Sequence, residues 1–221
     1  MSKQLFPLVM ADVALFCLDE EQRLRLLVTQ RALAPAQGNW ALPGGLLKPS
    51  QDSSMEDTAR RVLREKVGLD AVPLEQVRVF SGDRRDERGW SLSVLYLALL
   101  PKDQVPAVAM HKTDAVAWID PNSPDVELAF DHASMVQAAL QALRAKVRDR
   151  KLPLHLLSPL FTLTELQRAC EAVLDTTMDK AAFRRRLKER EGIDFEAVEG
   201  EEKRGRQRPA QCYRATQEFY F

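Results

Sequence analysis

The sequence predicts an α+β protein in two domains: a strand-rich domain with two helices, followed by a small domain of helices and one hairpin. Short apolar runs separated by turn residues fill the first half of the chain, around one clear amphipathic helix. Beyond "RKLPLHLLSPLF", which carries two prolines, the chain becomes helical and basic. We therefore place the domains at residues 1–150 and 159–221, joined by a linker at residues 151–158.

Composition is that of an ordinary globular protein, with 45% hydrophobic and 29% charged residues and with Lys+Arg and Asp+Glu both at 32. The three cysteines lie far apart and form no CxxC pair, so neither a disulfide framework nor a zinc site is predicted. No apolar run reaches the length of a membrane span. Asp12 interrupts the alternating apolar N-terminus, which argues against a signal peptide. We expect a cytoplasmic protein without a membrane partner.

The strands of the first domain come in order along the chain. Val9 to Leu18 and Leu24 to Thr29 are predicted to form a hairpin across "DEEQR". "NWALPGGLL" predicts a short strand that is broken at its proline and two glycines. "EQVRVFSG", "SLSVLYLALL" and "AVAWI" predict three more strands. The second of these is apolar almost throughout, so we expect it in the interior of the sheet.

Two helices complete this domain. Ser53 to Val67 is predicted to be helical, with Ser53 as N-cap, Glu56 completing a capping box, and Gly68 ending the helix. A long helix is expected from about Asp131 to Arg150, because apolar residues recur there at helical spacing.

The second domain begins with another capping box, Thr162 with Glu165, which opens a helix from Leu163 to Leu174. "KAAFRRRLKERE" predicts a further helix, ended by Gly192, and the remaining residues predict a strand, a charged loop and a returning strand. Helix, turn, helix and hairpin in this order are typical of a winged helix-turn-helix.

The helix ending at Gly68 carries an unusual charge pattern. A metal-dependent diphosphate hydrolase needs a carboxylate cluster to hold the metal against the diphosphate, and an Arg-Glu-x-x-Glu-Glu run supplies it on one helix face. Here Val62, Glu65 and Lys66 occupy the three acidic positions after Arg61. One carboxylate remains, and it lies beside an ammonium group. We therefore expect no catalytic metal site and no hydrolase activity.

The stretch "GGLLKPSQDSSMEDTARRVLREKVGL" resembles a Nudix box in degenerate form. Gln51 stands where the box has a glutamate, and two residues are inserted around Asp52 and Ser53. The C-terminal part, from "FTLTELQRAC" to "RPAQCYR", is similar to the winged helix of the Nudix-related transcriptional regulators of NAD metabolism. The resemblance covers nearly the whole chain and implies a Nudix-type mixed-sheet α/β/α sandwich followed by a winged helix-turn-helix domain.

This resemblance also implies a function. In that family the Nudix domain is a sensor for ADP-ribose or a related NAD metabolite, and homodimers bind palindromic operators of NAD-metabolism genes. We expect the same of this chain: a repressor without a cofactor, with double-stranded DNA and a nucleotide effector as partners. Sugar catabolism, a role of other relatives, stays open, as does the direction in which the ligand acts.

The expected ligand-binding residues are Arg31, Gly45, Glu65, Phe80 and Arg88. The planar guanidinium groups of Arg31 and Arg88 suit phosphate oxygens, but each of them equally suits a surface salt bridge. Phe80, like Trp40, offers a face for stacking on adenine, although aromatic residues beside strands are more often part of the core. Glu65 either contacts ligand or pairs with a base one helical turn earlier.

The expected DNA-binding residues form two clusters. The helix cluster comprises Lys180, Arg184, Arg185, Arg186 and Lys188, and the wing cluster comprises Lys203, Arg204, Arg206 and Arg208. A helix in the major groove and a wing over the flanking phosphates would use such clusters. Because one small domain binds DNA weakly, we expect a homodimer on half-sites about one or two helical turns apart. A solvated helix face, or a wing that contacts protein, is the alternative.

A working Nudix hydrolase is the alternative for the whole protein. Glu65 would then need acids from elsewhere, and "GDRRDERG" offers Asp83, Asp86 and Glu87.

Overall fold

The computed structural model describes residues 6–101, 104, 113–149, 151–203 and 209–216. The chain divides into two compact units: the first comprises Met1–Cys17 and Arg25–Ala142, and the second comprises Leu18–Leu24 and Leu143–Phe221. Among the described residues, no helix is both long and apolar enough to cross a membrane.

The first unit is built on a mixed sheet in which seven strands are described. Their bounds are β1 Leu8–Leu18, β2 Leu24–Arg31, β3 Trp40–Ala41, β4 Gly44–Leu46, β5 Glu75–Gly82, β6 Ser91–Leu99 and β7 Thr113–Ile119. The order is β3-β2-β1-β6-β5, while β4 pairs with β1 and β7 pairs with β2. Strands β1 and β6 are parallel, and β5 is antiparallel to β6. The predicted interior position of "SLSVLYLALL" is confirmed.

The core of this unit lies around β1, which is buried along its whole second half. Ala11 and Val13 of β1 belong to one apolar cluster with Val94 of β6 and with Ala59 and Leu63 of helix α1, Met55–Val67. A strand that is buried on both of its faces is apolar almost throughout, as the run from Val13 to Leu18 is.

Helix α1 begins one residue later than predicted. Its N-cap is Ser54, whose hydroxyl accepts a hydrogen bond from the backbone of Asp57 at 3.0 Å. The prediction of Ser53 as cap was wrong because it relied on a glutamate three residues on. Glu56 instead pairs with Arg60 at 2.6 Å. The predicted end is confirmed: Gly68 adopts the left-handed conformation at φ 78°.

Helix α2 spans His132–Arg148, inside the predicted range. The segment predicted as a linker contains a short 3₁₀ turn at Leu154–Leu156 and belongs to the second unit. Leu152, Pro153, Leu154, Leu156 and Leu157 are buried there. Residues 151–158 are therefore packed and not extended.

The second unit continues with helices α3 Leu163–Leu174 and α4 Lys180–Leu187 and the hairpin strands β8 Phe195–Lys203 and β9 Ala210–Ala215. The predicted capping box between Thr162 and Glu165 is confirmed. Helix α4 ends at Leu187, before the predicted stop at Gly192, because a turn follows in which Arg190 binds the carboxylate of Asp194 at 2.6 and 2.8 Å.

The second unit has its own small core. The rings of Phe161, Phe195 and Tyr213 lie 5.6–6.5 Å apart, between the segment before α3 and the hairpin. The backbone of Phe161 exchanges two hydrogen bonds with that of Tyr213, at 3.0 and 2.7 Å. Phe183 and Leu187 of α4 are buried as well. The hairpin is therefore fixed to the helices by aromatic packing.

Cys17, Cys170 and Cys212 form no disulfide with one another, and all three are buried. Burial raises the pKa of the Cys170 thiol to about 12.

Candidate functional site

Two cavities lie beside strand β4 in the described part of the first unit. The inner cavity has a volume of about 160 Å³ and the outer cavity about 350 Å³. Both are lined by Arg31, Gly44, Gly45, Leu46 and Lys66. The inner cavity adds, among others, Asp12, Arg85, Asp86, Arg88, Phe130 and His132. The outer cavity adds, among others, Lys48, Arg61, Val62 and Glu65.

The two glycines let β4 lie close to its neighbours. A β-carbon on Gly44 would stand 1.7 Å from Oδ1 of Asp12, and one on Gly45 would stand 2.8 Å from Cγ2 of Val62. Any side chain at either position would collide with β1 or α1. The "PGG" sequence thus serves close packing of the strand that lines both cavities.

Arg61 anchors this strand to helix α1. Its guanidinium binds both carboxylate oxygens of Asp52 at 2.7 Å and the carbonyl oxygen of Leu46 at 2.7 Å. The Arg61 and Asp52 side chains are 5% and 1% exposed. The hydrogen bonds from Arg61 hold the pKa of the Asp52 carboxyl well below its usual range. Sequence reasoning put Asp52 in an insertion and missed this role, although it directly follows Gln51.

Glu65 is engaged by two bases. Its carboxylate accepts from Lys48 Nζ at 3.0 Å and from Arg61 at 3.2 Å, so the pairing alternative holds in the structure. Burial acts to raise the pKa of Glu65, but the hydrogen bonds and charges of Lys48 and Arg61 outweigh it, and the net shift is downward. Val62 is 1% exposed and apolar. Among the described residues, no group of three or more His, Cys, Asp or Glu side chains is placed to hold a metal ion.

Arg31 lines both cavities without a carboxylate partner in the described residues. Its Nε donates to the carbonyl oxygen of Pro35 at 2.7 Å, and its guanidinium lies 4.8 Å from the centre of the Phe130 ring. Burial, and then the nearby charge of Arg88, lower the pKa of Arg31. A half-buried cation of this kind suits an anionic ligand.

Arg88 lines the inner cavity and forms a salt bridge, which was the alternative to phosphate binding in the sequence analysis. It binds the Asp86 carboxylate at 2.9 and 2.6 Å. Asp86 is 4% exposed. The carboxylate of this acid in the "GDRRDERG" loop is therefore paired with Arg88 in the structure.

The structure brings Arg31, Gly45, Glu65 and Arg88 to the two cavities, but Phe80 lines neither of them. Phe80 lies on β5 opposite Ser93, and the guanidinium of Arg78 sits 4.8 Å from its ring centre. Trp40, in β3, is likewise absent from both linings in the described chain.

Sequence reasoning missed the buried polar group of the inner cavity. Ser93 donates to Asp12 Oδ2 at 2.5 Å, and His132 Nδ1 accepts from the backbone of Leu42 at 2.9 Å. His132 Nε2 lies 3.7 Å from Asp12 Oδ1. Burial lowers the pKa of His132, which favours the neutral imidazole. The available signal was Asp12 itself, a charged residue inside an apolar strand.

In the second unit, helix α4 presents its basic residues to solvent. Lys180, Arg184, Arg185, Arg186 and Lys188 are all exposed. Within the described chain, none of the three arginines forms an ion pair with a carboxylate, and Arg186 donates only to the backbone carbonyl of Ala182, at 3.4 Å. The helix cluster is therefore available to an external anion.

The wing cluster is described only at its base. Lys203 ends β8, and its ammonium group binds the Glu165 carboxylate at 2.9 and 3.1 Å. Arg204, Arg206 and Arg208 lie outside the described residues.

Comparisons with known proteins agree with this architecture. Residues 9–139 match the NUDIX domain, and residues 153–215 match the NrtR DNA-binding winged helix domain. The chain is 40% identical over 220 residues to the ADPR responsive transcriptional repressor NtrR of Acinetobacter baylyi, across 97% of this chain and 85% of that protein.

Two solved structures extend the comparison. Shewanella oneidensis NrtR in complex with a 27mer DNA matches with a TM-score of 0.81 and 32% identity, over 94% of this chain and 93% of that one. The NUDIX domain of S. oneidensis NrtR in complex with ADP ribose matches with a TM-score of 0.56 and 32% identity, over 62% and 89%. The predicted fold, a Nudix domain followed by a winged helix-turn-helix, is confirmed. This chain belongs to the NrtR family of Nudix-related transcriptional regulators.

Proposed function

We propose that this protein is a transcriptional repressor whose Nudix domain, residues 1–150, binds ADP-ribose or a related NAD metabolite without cleaving it. Residues 159–221 bind operators of NAD-metabolism genes. The observation that carries the proposal is the cavity pair beside β4, where arginines are present but no cluster of acids among the described residues is placed to hold a metal ion. The repressor of Acinetobacter baylyi, which is named as ADPR responsive, and the ADP ribose complex of the S. oneidensis domain support this effector.

Loss of hydrolysis follows from the charges on α1. Glu65 is the one acid at the three motif positions, and it pairs with Lys48 and Arg61. Lys66 adds a positive charge that opposes a divalent cation. A site of this kind attracts diphosphate oxygens but lacks the ligands that magnesium needs to activate water.

Restoring the acids tests this point. We expect the double variant Val62→Glu with Lys66→Glu to gain magnesium-dependent cleavage of ADP-ribose, measured by release of AMP. Because Val62 is buried, the variant's thermal unfolding must be measured alongside, and Lys66→Glu alone serves as the milder variant. A wild-type protein that cleaves as fast as the double variant overturns the proposed loss of activity.

DNA binding rests on the second unit. We propose that the exposed arginines of α4 enter a major groove. The buried side chains of Phe183 and Leu187 hold the helix on its core. The S. oneidensis complex with a 27mer DNA supports a DNA partner. A single small domain gives weak affinity, so we propose a homodimer on a palindrome. Sedimentation that finds only monomer at micromolar concentration, with and without operator, contradicts the dimer.

Regulation requires that the effector binds the DNA-free state more tightly than the DNA-bound state. A differential affinity of about 100-fold or more is needed to move most of the protein off its operator. We propose that binding of ADP-ribose causes the repressor to release its operator DNA. We also propose that the protein acts in the cytoplasm. The test is a mobility shift on DNA upstream of the neighbouring genes, with and without ADP-ribose, with hydrolysis measured on the same sample. A shift that ADP-ribose reverses without cleavage supports the proposal. Rapid cleavage without DNA binding favours the hydrolase alternative.

A further inference from the structure

We infer that Asp12 determines which nucleotide the sensor accepts, because its free carboxylate oxygen binds hydroxyl groups of the effector's terminal ribose in the inner cavity. This inference rests on the proposed function and adds a residue and a chemical group to it.

The two oxygens of Asp12 have different surroundings. Oδ2 accepts the hydrogen bond from Ser93, which is fully buried. Oδ1 accepts no hydrogen bond from the described residues, and His132 Nε2 lies 3.7 Å from it, beyond hydrogen-bond distance. The Asp12 side chain is only 7% exposed and lines the inner cavity. A carboxylate oxygen that lines a cavity and accepts no hydrogen bond from the protein is open to a donor from a ligand.

Gly44 shows where this oxygen points. Oδ1 of Asp12 stands 1.7 Å from the place that a β-carbon of residue 44 would take. It therefore lies against the backbone of β4, the strand shared by both cavities. The absence of a side chain at Gly44 keeps this position open for the carboxylate.

Around Asp12, the chemistry of the inner cavity fits a hydroxylated group better than a phosphate or a purine. The Asp12 carboxylate accepts hydrogen bonds, and its negative charge repels phosphate. It can accept hydrogen bonds from ribose hydroxyls, as acidic residues do in many nucleotide sites. Arg85 supplies a donor group on the same lining; its guanidinium binds Asp131 at 2.8 Å, and its Nη1 has no partner among the described atoms. One face of the Phe130 ring is taken by Arg31, which leaves less room for a stacked adenine.

The cations between the two cavities fit the middle of the same ligand. Arg31 and Lys66 line both cavities, and a diphosphate is the anionic centre of a nucleoside diphosphate sugar. The outer cavity, whose lining includes the exposed Leu33, is then left for the adenosine end. The terminal sugar reaches the buried floor formed by Asp12, Leu42 and His132.

The test compares ADP-ribose with ADP, which lacks the terminal ribose, by titration calorimetry on the full-length protein. For Asp12→Asn we expect ADP-ribose to bind about 10- to 100-fold more weakly, because a charged hydrogen bond is lost. ADP should bind as before or more tightly, because a negative charge near its phosphates is removed. A structural role for Asp12 moves both ligands in the same direction.

Ser91→Ala is the matched control, because Ser91 is a fully buried serine of the same strand β6 that does not line the inner cavity, and its Oγ has no partner among the described residues; we expect the affinity for each ligand to change by less than about threefold. Thermal unfolding of each variant checks that it is folded. Equal weakening of ADP and ADP-ribose by Asp12→Asn overturns the inference, as does a wild-type protein that binds ADP as tightly as ADP-ribose. A wild-type protein that binds neither ligand overturns the proposed effector, and the inference falls with it.

Discussion

Helices α1 and α4 both carry a run of arginines, but the two runs differ in burial and in their partners. In α1, Arg61 is 5% exposed and binds Asp52, Glu65 and the Leu46 carbonyl. In α4, Arg184, Arg185 and Arg186 are exposed, and within the described residues no acid pairs with them. Neighbouring acids therefore decide whether an arginine run holds the fold together or remains available to a ligand.

The largest expected effect comes from removing the acid that makes α1 a structural element. Asp52→Asn leaves the buried guanidinium of Arg61 without its counter-ion, and we expect a loss of about 3–5 kcal/mol in the free energy of unfolding. Urea denaturation measures it. The double variant Asp52→Leu with Arg61→Met removes both charges and should recover much of the loss. A single variant as stable as wild type would mean that water reaches Arg61, and the comparison with α4 would fail.

The second effect concerns α4 and should leave stability almost untouched. Arg185→Ala removes an exposed cation, so we expect unfolding to change by no more than about 0.5 kcal/mol and operator affinity to fall by about 1–3 kcal/mol. If the contact is to phosphate, the slope of log affinity against log salt decreases by about one. Fluorescence anisotropy at several salt concentrations measures both. Arg60→Ala on α1 is the control and should not alter DNA binding. DNA affinity that does not depend on salt would point to a protein-binding wing.

The third effect is a dependence of the free energy of unfolding on pH. It comes from the ion pair between Asp52 and Arg61 of α1, and no such buried ion pair is described for the arginines of α4. The folded-state pKa of Asp52 is depressed, so its contribution is fully present above its ordinary value of 3.8 and is lost as the pH falls towards the folded-state pKa. We expect about 1–2 kcal/mol of this contribution to be lost between pH 4 and pH 2. Urea denaturation of wild type and Asp52→Asn at each pH isolates it. Parallel pH profiles for the two proteins would contradict the assignment.

The smallest effect concerns the base of the wing. Glu165→Gln removes the charge that binds Lys203, but both side chains are a third or more exposed, so we expect a loss below about 1 kcal/mol. The variant also frees the Lys203 ammonium for DNA, so operator affinity should hold or increase. Denaturation and anisotropy measure the two quantities. A clear drop in affinity would mean that the ion pair positions the wing.

Short-range features of this fold could be predicted from the sequence. The capping box at Thr162 and the left-handed Gly68 depend on residues three or four positions away, and both predictions are confirmed. The same reasoning failed at Ser53, because Glu56 pairs with Arg60 and the capping hydrogen bond runs from the backbone of Asp57 to Ser54. The sequence also predicted too late an end for α4, because the turn that follows this helix depends on Asp194, which lies beyond the helix itself.

The inner cavity could not be predicted in the same way. Asp12 and His132 are 120 residues apart in sequence, and only the folded chain brings them to 3.7 Å. Gly45 and Glu65 were predicted from a motif and Arg31 and Arg88 from the chemistry of their guanidinium groups, and all four lie at the cavities. A partner such as Lys48 for Glu65, 17 residues away in sequence, depends on tertiary contacts. Phe80 was chosen for its chemistry, and its place on β5 lies outside both linings.

The buried cysteines give the protein a built-in reporter of local opening. A thiol reacts with an alkylating reagent as the thiolate, and each of these thiols is shielded in the folded state. Cys17 belongs to the first unit, whereas Cys170 and Cys212 belong to the second. Mass spectrometry of alkylation rates at the three positions would therefore follow the opening of each unit separately, without any engineered label.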